Sequence, residues 1–376
     1  MTEGNPFRVL SLFAIPILAG NLLHPAYSVT DSIVAGQCLG QTALAVVGCT
    51  APISMLLAAL MIGVNIGVGI LISQAYGKRD YEQIRQYLTN GLYLSSIIAL
   101  FVALVGVSLT VKILHWMGTP AAPLQDAAVY LRINFITAVC PLFYYLLASV
   151  MRGIGDSRSA LYCLIVSSVA NILLDILFVV GFQWGVAGSA WATALAQTLS
   201  TAAAAYIICR KYPDVWPKRN DFRWNPKLLI NIAKTALPIA FESAFNNISN
   251  IIAQSAVNSF GEAAMAAYTA AGRVGTLSLI SVETVGNAMS VYAGQNRGAS
   301  LRHRIRNGVF AALFMCVCNT SLILFNAAGL GISFYRILYL YIPKPPKLKE
   351  LKRYKEYENY LNDRSIFEKA FCYKYE

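Results

Sequence analysis

The chain has 376 residues, of which 57% are hydrophobic and 13% charged, with a formal net charge of +12. An ordinary soluble domain carries about 25% charged residues, so this composition excludes one. The apolar residues run in blocks of about 20, the length a helix needs to cross a bilayer, separated by short charged or Gly/Pro-containing breaks. The fold class is therefore all-α, a polytopic helical membrane protein whose first partner is the lipid bilayer. An outer-membrane barrel would show alternating segments of about ten residues, whereas these runs are continuous.

Nine spans are predicted, at 10–34, 44–73, 90–113, 128–150, 161–182, 186–208, 232–258, 264–292 and 308–332. Arg8 precedes an apolar run that outlasts the core of a signal peptide and lacks a small-residue cleavage site, so it is expected to be retained as span one. The breaks after spans two, four, six and eight carry Lys78, Arg79 and Arg85, then Arg152 and Arg158, then Arg210 to Lys227, then Arg297 to Arg306. Those after spans one, five and seven carry no Lys or Arg. The positive-inside rule places the N-terminus and the basic loops in the cytoplasm of a cell (plasma or inner) membrane protein. The positive charge is then a topology signal, and nucleic acid is not an expected partner. The eight cysteines form no CxxC pair and lie mostly in apolar runs, and His24, His115 and His303 share no ligand spacing, so neither a disulfide frame nor a metal centre is expected.

The sequence repeats itself. Leu39-Gly40-Gln41-Thr-Ala-Leu-Ala45 matches Phe260-Gly261-Glu262-Ala-Ala-Met-Ala266, and Gln74-Ala-Tyr-Gly77 matches Gln295-Asn-Arg-Gly298, both at an offset of 221 residues. Pro16 and Pro238 match one residue off that offset. A repeat of six spans keeps both copies in the same orientation, a parallel arrangement known among transporters. The domains expected are an N-lobe over 1–208, a cytoplasmic linker over 209–231, a partial C-lobe of three spans over 232–335, and a basic aromatic tail over 336–376. Two full copies would need about 440 residues, and the tail has no run of membrane length, so the tail is expected to be non-native or disordered.

Acids inside the spans are few: Asp31, Asp175, Glu242 and Glu283. An intramembrane carboxylate costs about 3 kcal/mol on insertion scales and is read by default as functional. Ser167, Asn171 and Asp175 stand at i, i+4, i+8 on one stripe of span five, while Asp31 shares a face with Asn21 and Ser28. Span six adds Thr193, Gln197 and Ser200/Thr201, so three polar stripes at matching depth suggest one pocket within the first six helices. Glu242 heads a stripe with Asn246 and Ser249 in the second half. Such a pocket suits ion coupling: a carboxyl in low dielectric takes up a proton near neutral pH, and a cation such as Na⁺ holds it ionised instead. Pro16 is the hinge candidate, because it removes a backbone bond from the helix that carries Asp31. The GxxxG spacings at Gly36/Gly40 and Gly63/Gly67 mark close helix packing rather than substrate contact. No Ser/His or acid pair stands at catalytic spacing, so an enzyme is not expected.

The stretches Pro16, Asp31-Ser-Ile-Val-Ala-Gly-Gln-Cys-Leu-Gly40, Ser73-Gln-Ala-Tyr-Gly77, Met151-Arg-Gly-Ile-Gly-Asp156, Asn171-Ile-Leu-Leu-Asp175 and Gly294-Gln-Asn-Arg-Gly-Ala299 together resemble the MATE (multidrug and toxic compound extrusion) family, most of all its DinF-type branch. The resemblance covers about residues 8–332. It implies twelve helices in two six-helix lobes and antiport of small organic, often cationic, compounds against H⁺ or Na⁺ by alternating access. It implies a monomer without a bound cofactor, in which Asp31, Asn171, Asp175 and Thr193 form the N-lobe cation site. Na⁺, where it is the coupling ion, would sit at Asp31, Asn171 and Asp175. It further implies that Pro16 is the point where helix one bends and that Glu242 belongs to a C-lobe cation site. Two other readings remain: a flippase for lipid-linked sugars of the same superfamily, which would want an arginine-lined pocket where the spans hold only Arg132 and Arg273, and a truncated, inactive membrane protein.

Overall fold

The structure is a computed structural model that describes the backbone of residues 1–39, 41–258 and 262–341. Side chains are described there except at 24–42, 44, 251, 254–255, 258, 262–271, 273–274, 276–278 and 322–341. Ten α-helices follow in chain order: α1 (Pro6–Leu39), α2 (Gln41–Gly77), α3 (Tyr81–Trp116), α4 (Ala121–Ile136), α5 (Val139–Gly153), α6 (Ser157–Asp175), α7 (Gly185–Lys211), α8 (Pro226–Asn258), α9 (Glu262–Gly298) and α10 (Arg302–Tyr341). A π turn, Ile176–Gly181, extends α6, and there is no strand among the described residues. Contacts gather Met1–Asn319 into one compact unit and Thr320–Glu376 into another. Everything below concerns the first unit; in the second, residues from 342 onward, and with them most of the tail, lie outside the described residues.

The nine expected spans all fall on helices. Among the described residues six are long and apolar enough to cross a membrane, or seven when α4 and α5 count as one. The span expected at 128–150 is two helices meeting at 45°. Its break follows from Pro141, which has no N–H to give the Thr137 carbonyl one turn earlier; Cys140 N bonds Thr137 O instead, at 2.9 Å.

Helix starts are set by acids. Asp80 accepts from Gln83 N at 2.9 Å to cap α3, and Asp156 accepts from Ser159 N at 3.0 Å to cap α6. Asp156 also receives Lys211 Nζ at 2.7 Å and the Tyr212 hydroxyl at 2.9 Å, which joins the start of α6 to the end of α7. Helix α2 is the centre of the bundle. Its core against α3, α5, α7 and α8 contains Ile72, Leu88, Leu146, Met151, Ile208 and Ile232, all fully buried. A second core joins α1 to α9 and α10 through Leu10, Phe13, Ile17, Val291, Tyr292 and Ala312.

The small residues of α2 allow three close crossings. A Cβ at Gly63 would come within 2.6 Å of Ala240 Cα, and one at Gly67 within 2.5 Å of Ala236 Cα, so the second GxxxG pair seats on an AxxxA pair that brackets Pro238. Gly40, and the surroundings of the Gly36 side-chain position, lie outside the described residues. The third crossing is reciprocal. A Cβ at Gly77 would collide with the Gln295 carbonyl, and one at Gly298 with the Gln74 carbonyl. Between these contacts Gly294 faces Ser73, its counterpart at the 221-residue offset. The repeated Gln-x-x-Gly segments thus pack against each other about a local twofold axis that passes near Ser73 and Gly294.

The connection between α7 and α8 runs over 212–225 and is strapped to α3. Arg85 Nε meets Asp221 Oδ2 at 2.8 Å, and its Nη1 donates to Asp214 O at 2.9 Å. Asn225 N donates to Asn90 Oδ1 at 3.1 Å, and the Trp224 ring lies 5.7 Å from that of Tyr93.

Candidate functional site

The polar stripes of spans five and six face each other because α6 and α7 form a tight antiparallel hairpin. At its tip the rings of Phe178 and Trp184 stack with centroids 4.9 Å apart, and Phe182 lies 5.9 Å from Phe178. Gly188 lets α7 approach the Phe178 backbone, since a Cβ there would stand 3.2 Å from it. Gln183 and Gly185 turn the chain with positive φ, 56° and 61°. Lower down, Ser200 Oγ donates to Cys163 O at 2.6 Å and pins the two helices together.

Between them lies a small cavity lined by Ser167, Ser168, Asn171, Thr193, Ala196 and Gln197. It leaves about 10 Å³ to a water centre, room for one water or one small ion. Asn171 Nδ2 donates to Thr193 Oγ1 at 3.2 Å. Three buried oxygens have no hydrogen-bond partner among the described residues: Asn171 Oδ1, Gln197 Oε1 and Ser168 Oγ. Asp175 stands one turn beyond Asn171 and is 1% exposed, at the junction where α6 passes into its π turn, an irregularity that often marks functional positions. The arrangement is rich in uncommitted oxygen acceptors, which is what a hard cation needs.

Of the expected site residues, the structure brings Asn171 and Thr193 into contact and places Asp175 on the same helix one turn away. The side chain of Asp31 lies outside the described residues. Pro16 is buried in a segment that is helical on both sides of it. Glu242, with Asn246 and Ser249, forms an exposed stripe on α8 and makes no described contact with the α6–α7 cavity. Ser168 was not on the expected stripe. Its neighbour Ser167 was, and a cavity between two helices takes in residues to either side of a single line. Ser200 and Thr201, expected beside Gln197, serve the packing: Thr201 Oγ1 donates to Gln197 O at 2.8 Å. The six described cysteines are free thiols, and no cluster of three metal-ligating side chains occurs among the described residues.

Comparison with known proteins agrees with this architecture. The MatE family model matches residues 16–177 and 238–351, so each match begins at one of the paired prolines, and the second runs past the 332 at which the sequence resemblance was drawn to a close. The chain is 31% identical over 316 residues to the probable multidrug resistance protein YoeA of Bacillus subtilis, covering 81% of this chain and 68% of that protein. It is 26% identical over 304 residues to the probable multidrug resistance protein YpnP of the same organism, again with 81% and 68% covered. Among solved structures, a MATE crystal structure in the bent conformation superposes with a TM-score of 0.81 at 24% identity, over 90% of this chain and 75% of that one. On the family match and the relationship to YoeA, the chain belongs to the MATE family of multi-pass membrane transporters.

Proposed function

We propose that this protein exports small organic, mainly cationic, compounds across the cell membrane in exchange for H⁺ or Na⁺, with its N-terminus and basic loops in the cytoplasm. The observation that carries this reading is the α6–α7 cavity, where buried amide and hydroxyl oxygens without described partners lie one turn from a buried carboxylate. The multidrug names of its relatives support the substrate class.

In this reading residues 1–208 are the N-lobe, 209–231 the linker and 232–335 the part of the C-lobe present. The coupling ion binds at Asp175, Asn171 and Thr193 with Asp31 from α1, and Glu242 serves a separate site on α8. A proton neutralises the carboxyl; Na⁺ takes the amide oxygens as ligands and leaves the carboxyl ionised. Either event changes the charge buried between α1, α6 and α7, and Pro16, whose missing N–H weakens α1, is where that helix yields. Buried oxygens without partners each cost about 1–3 kcal/mol, so ion binding relieves a standing penalty.

The test is dye efflux from proteoliposomes under an imposed H⁺ or Na⁺ gradient. Wild-type protein should move a cationic dye against its gradient, and Asp175→Asn should reduce gradient-driven movement to that of empty liposomes. Unchanged efflux in Asp175→Asn would remove the role given to that acid.

A further inference from the structure

A second cavity, of about 580 Å³, opens where the basic loops lie, at the ends of α2, α3, α8 and α9. Its size is in the range of small-ligand pockets, roughly 300–1,000 Å³. Gln74 and Lys78 at the end of α2, Gln83 and Tyr87 at the start of α3, Asn231 of α8 and Arg297 of α9 line it, over a floor of Ile70 and Leu71. The lining is rich in donors. Asn231 Nδ2 donates to the Tyr87 hydroxyl at 3.0 Å, which leaves the hydroxyl hydrogen free to point into the cavity. Lys78 and Arg297 are exposed and have no ion-pair partner among the described residues. No carboxylate lines the cavity: the nearby Asp80 caps α3 and Glu82 accepts from Gln86 Nε2 at 3.2 Å.

Positive charge at these helix ends has a plain explanation in the positive-inside pattern and the helix dipoles. The repeat indicates something more. Gln295, the counterpart of Gln74, is committed: its Nε2 donates to Gly153 O at 2.8 Å. Beside it the ring of Tyr292 lies against Gly308, the counterpart of Tyr87, and fills the equivalent space. One copy of the arrangement is therefore closed by protein, while the other is open, polar and flanked by two cations.

We propose that this open copy is a binding site for a phosphate-bearing anion, with Lys78 and Arg297 on the phosphate, the Gln74, Gln83 and Tyr87 donors completing its shell, and the Ile70–Leu71 floor against a short apolar portion. The phosphate belongs either to a soluble phosphoester or to the headgroup of an anionic phospholipid. In both cases the ligand ties α2 and α3 to α8 and α9, on the side where α2 and α9 already touch.

Native mass spectrometry of the full chain released from detergent tests this, with glycerol 3-phosphate in one arm, phosphatidylglycerol in the other and phosphatidylcholine as the reference lipid. The expected result is saturable occupancy in at least one anionic arm, and the arm identifies the source. Lys78→Gln combined with Arg297→Gln should weaken that occupancy about tenfold, whereas Arg158→Gln, an exposed basic residue of another loop, should leave it unchanged. Thr235 of α8 also lines the cavity, and Thr235→Trp, which narrows it without altering charge, should weaken occupancy as well; this holds the test open should the double variant fold poorly. The site is overturned if neither arm shows saturable occupancy above phosphatidylcholine, if Arg158→Gln weakens binding as much as the double variant, or if Thr235→Trp binds as wild type does. The measurement requires no transport, so it fails or succeeds independently of the efflux assay.

Discussion

Gln197 separates the two demands on the cavity. Its Oε1 is buried without a partner among the described residues, a loss for folding that, in the proposed ion site, becomes an asset only when a cation arrives. Gln197→Leu should therefore raise the melting temperature of ion-free protein, by the equivalent of about 1 kcal/mol, while reducing the rise in melting temperature that Na⁺ or acidification produces. A simple packing role for Gln197 would instead lower stability with and without the ion. Asp156 gives a pH signature away from the membrane interior. Burial pushes its carboxyl up, but the bonds from Lys211, from the Ser159 hydroxyl and amide, and from Tyr212 outweigh burial and hold it below its ordinary 3.8. A carboxyl depressed in the folded state contributes stability above its unfolded value and loses it as the pH falls through the folded one. Melting temperatures should thus fall more steeply below about pH 4 in wild type than in Asp156→Asn, whose cap cannot titrate.

At the scale of helices, close crossings replace large side chains as the source of specificity. The crossing of Gly77 on Gln295 mirrors that of Gly298 on Gln74, so Gly77→Ala and Gly298→Ala should destabilise by similar amounts, about 1–3 kcal/mol each by overpacking, in detergent unfolding. Markedly unequal losses would contradict the local symmetry. Much of this level is legible in the residues: the apolar runs mark the helices, the Gly63/Gly67 spacing marks a packing face, and the Gln-x-x-Gly pair marks the repeat. What the runs do not reveal is where a helix changes character inside an apolar stretch. Pro141 breaks α4 from α5 four residues after the carbonyl it cannot bond, and composition is no different on the two sides. The π turn after Asp175 falls in Ile-Leu-Phe-Val-Val, which reads as unbroken helix. Nor does a glycine pair name its partner; that Ala236 and Ala240 flank Pro238 on the opposing helix follows only from the fold. The site was legible as polar stripes, since Asn171, Asp175, Thr193 and Gln197 recur at four-residue spacing. The cavity between them was not, because it depends on how two stripes are rotated toward each other.

For the molecule as a whole, the contact between α2 and α9 lies at the end that carries the basic loops, and the proposed exchange, taken to run by alternating access, requires that contact to open. In a background free of the native cysteines, Ser73→Cys with Gly294→Cys should form a disulfide on oxidation once the side chain at 73 turns off the Gly294 Cβ position, since the two Cβ positions stand 3.0 Å apart, about 0.5 Å short of the roughly 3.5–4.5 Å of a natural bridge. The cross-linked protein should lose gradient-driven dye efflux and regain it on reduction. Retained efflux in the oxidised form would show that the α2–α9 crossing does not part during transport.

The crossing at Ser73 and Gly294 has the geometry of a symmetric homodimer interface, in which one surface meets a copy of itself, here folded into a single chain. On such an axis two identical residues must tolerate each other. Two serines with the side-chain orientation of Ser73 would not fit, because that side chain occupies the place of the Cβ that Gly294 lacks. Joining the copies in one polypeptide removes the requirement of sameness: each half of an axis pair can take the residue the other leaves room for. Serine against glycine is that freedom used, a knob and a hole from two copies of one position.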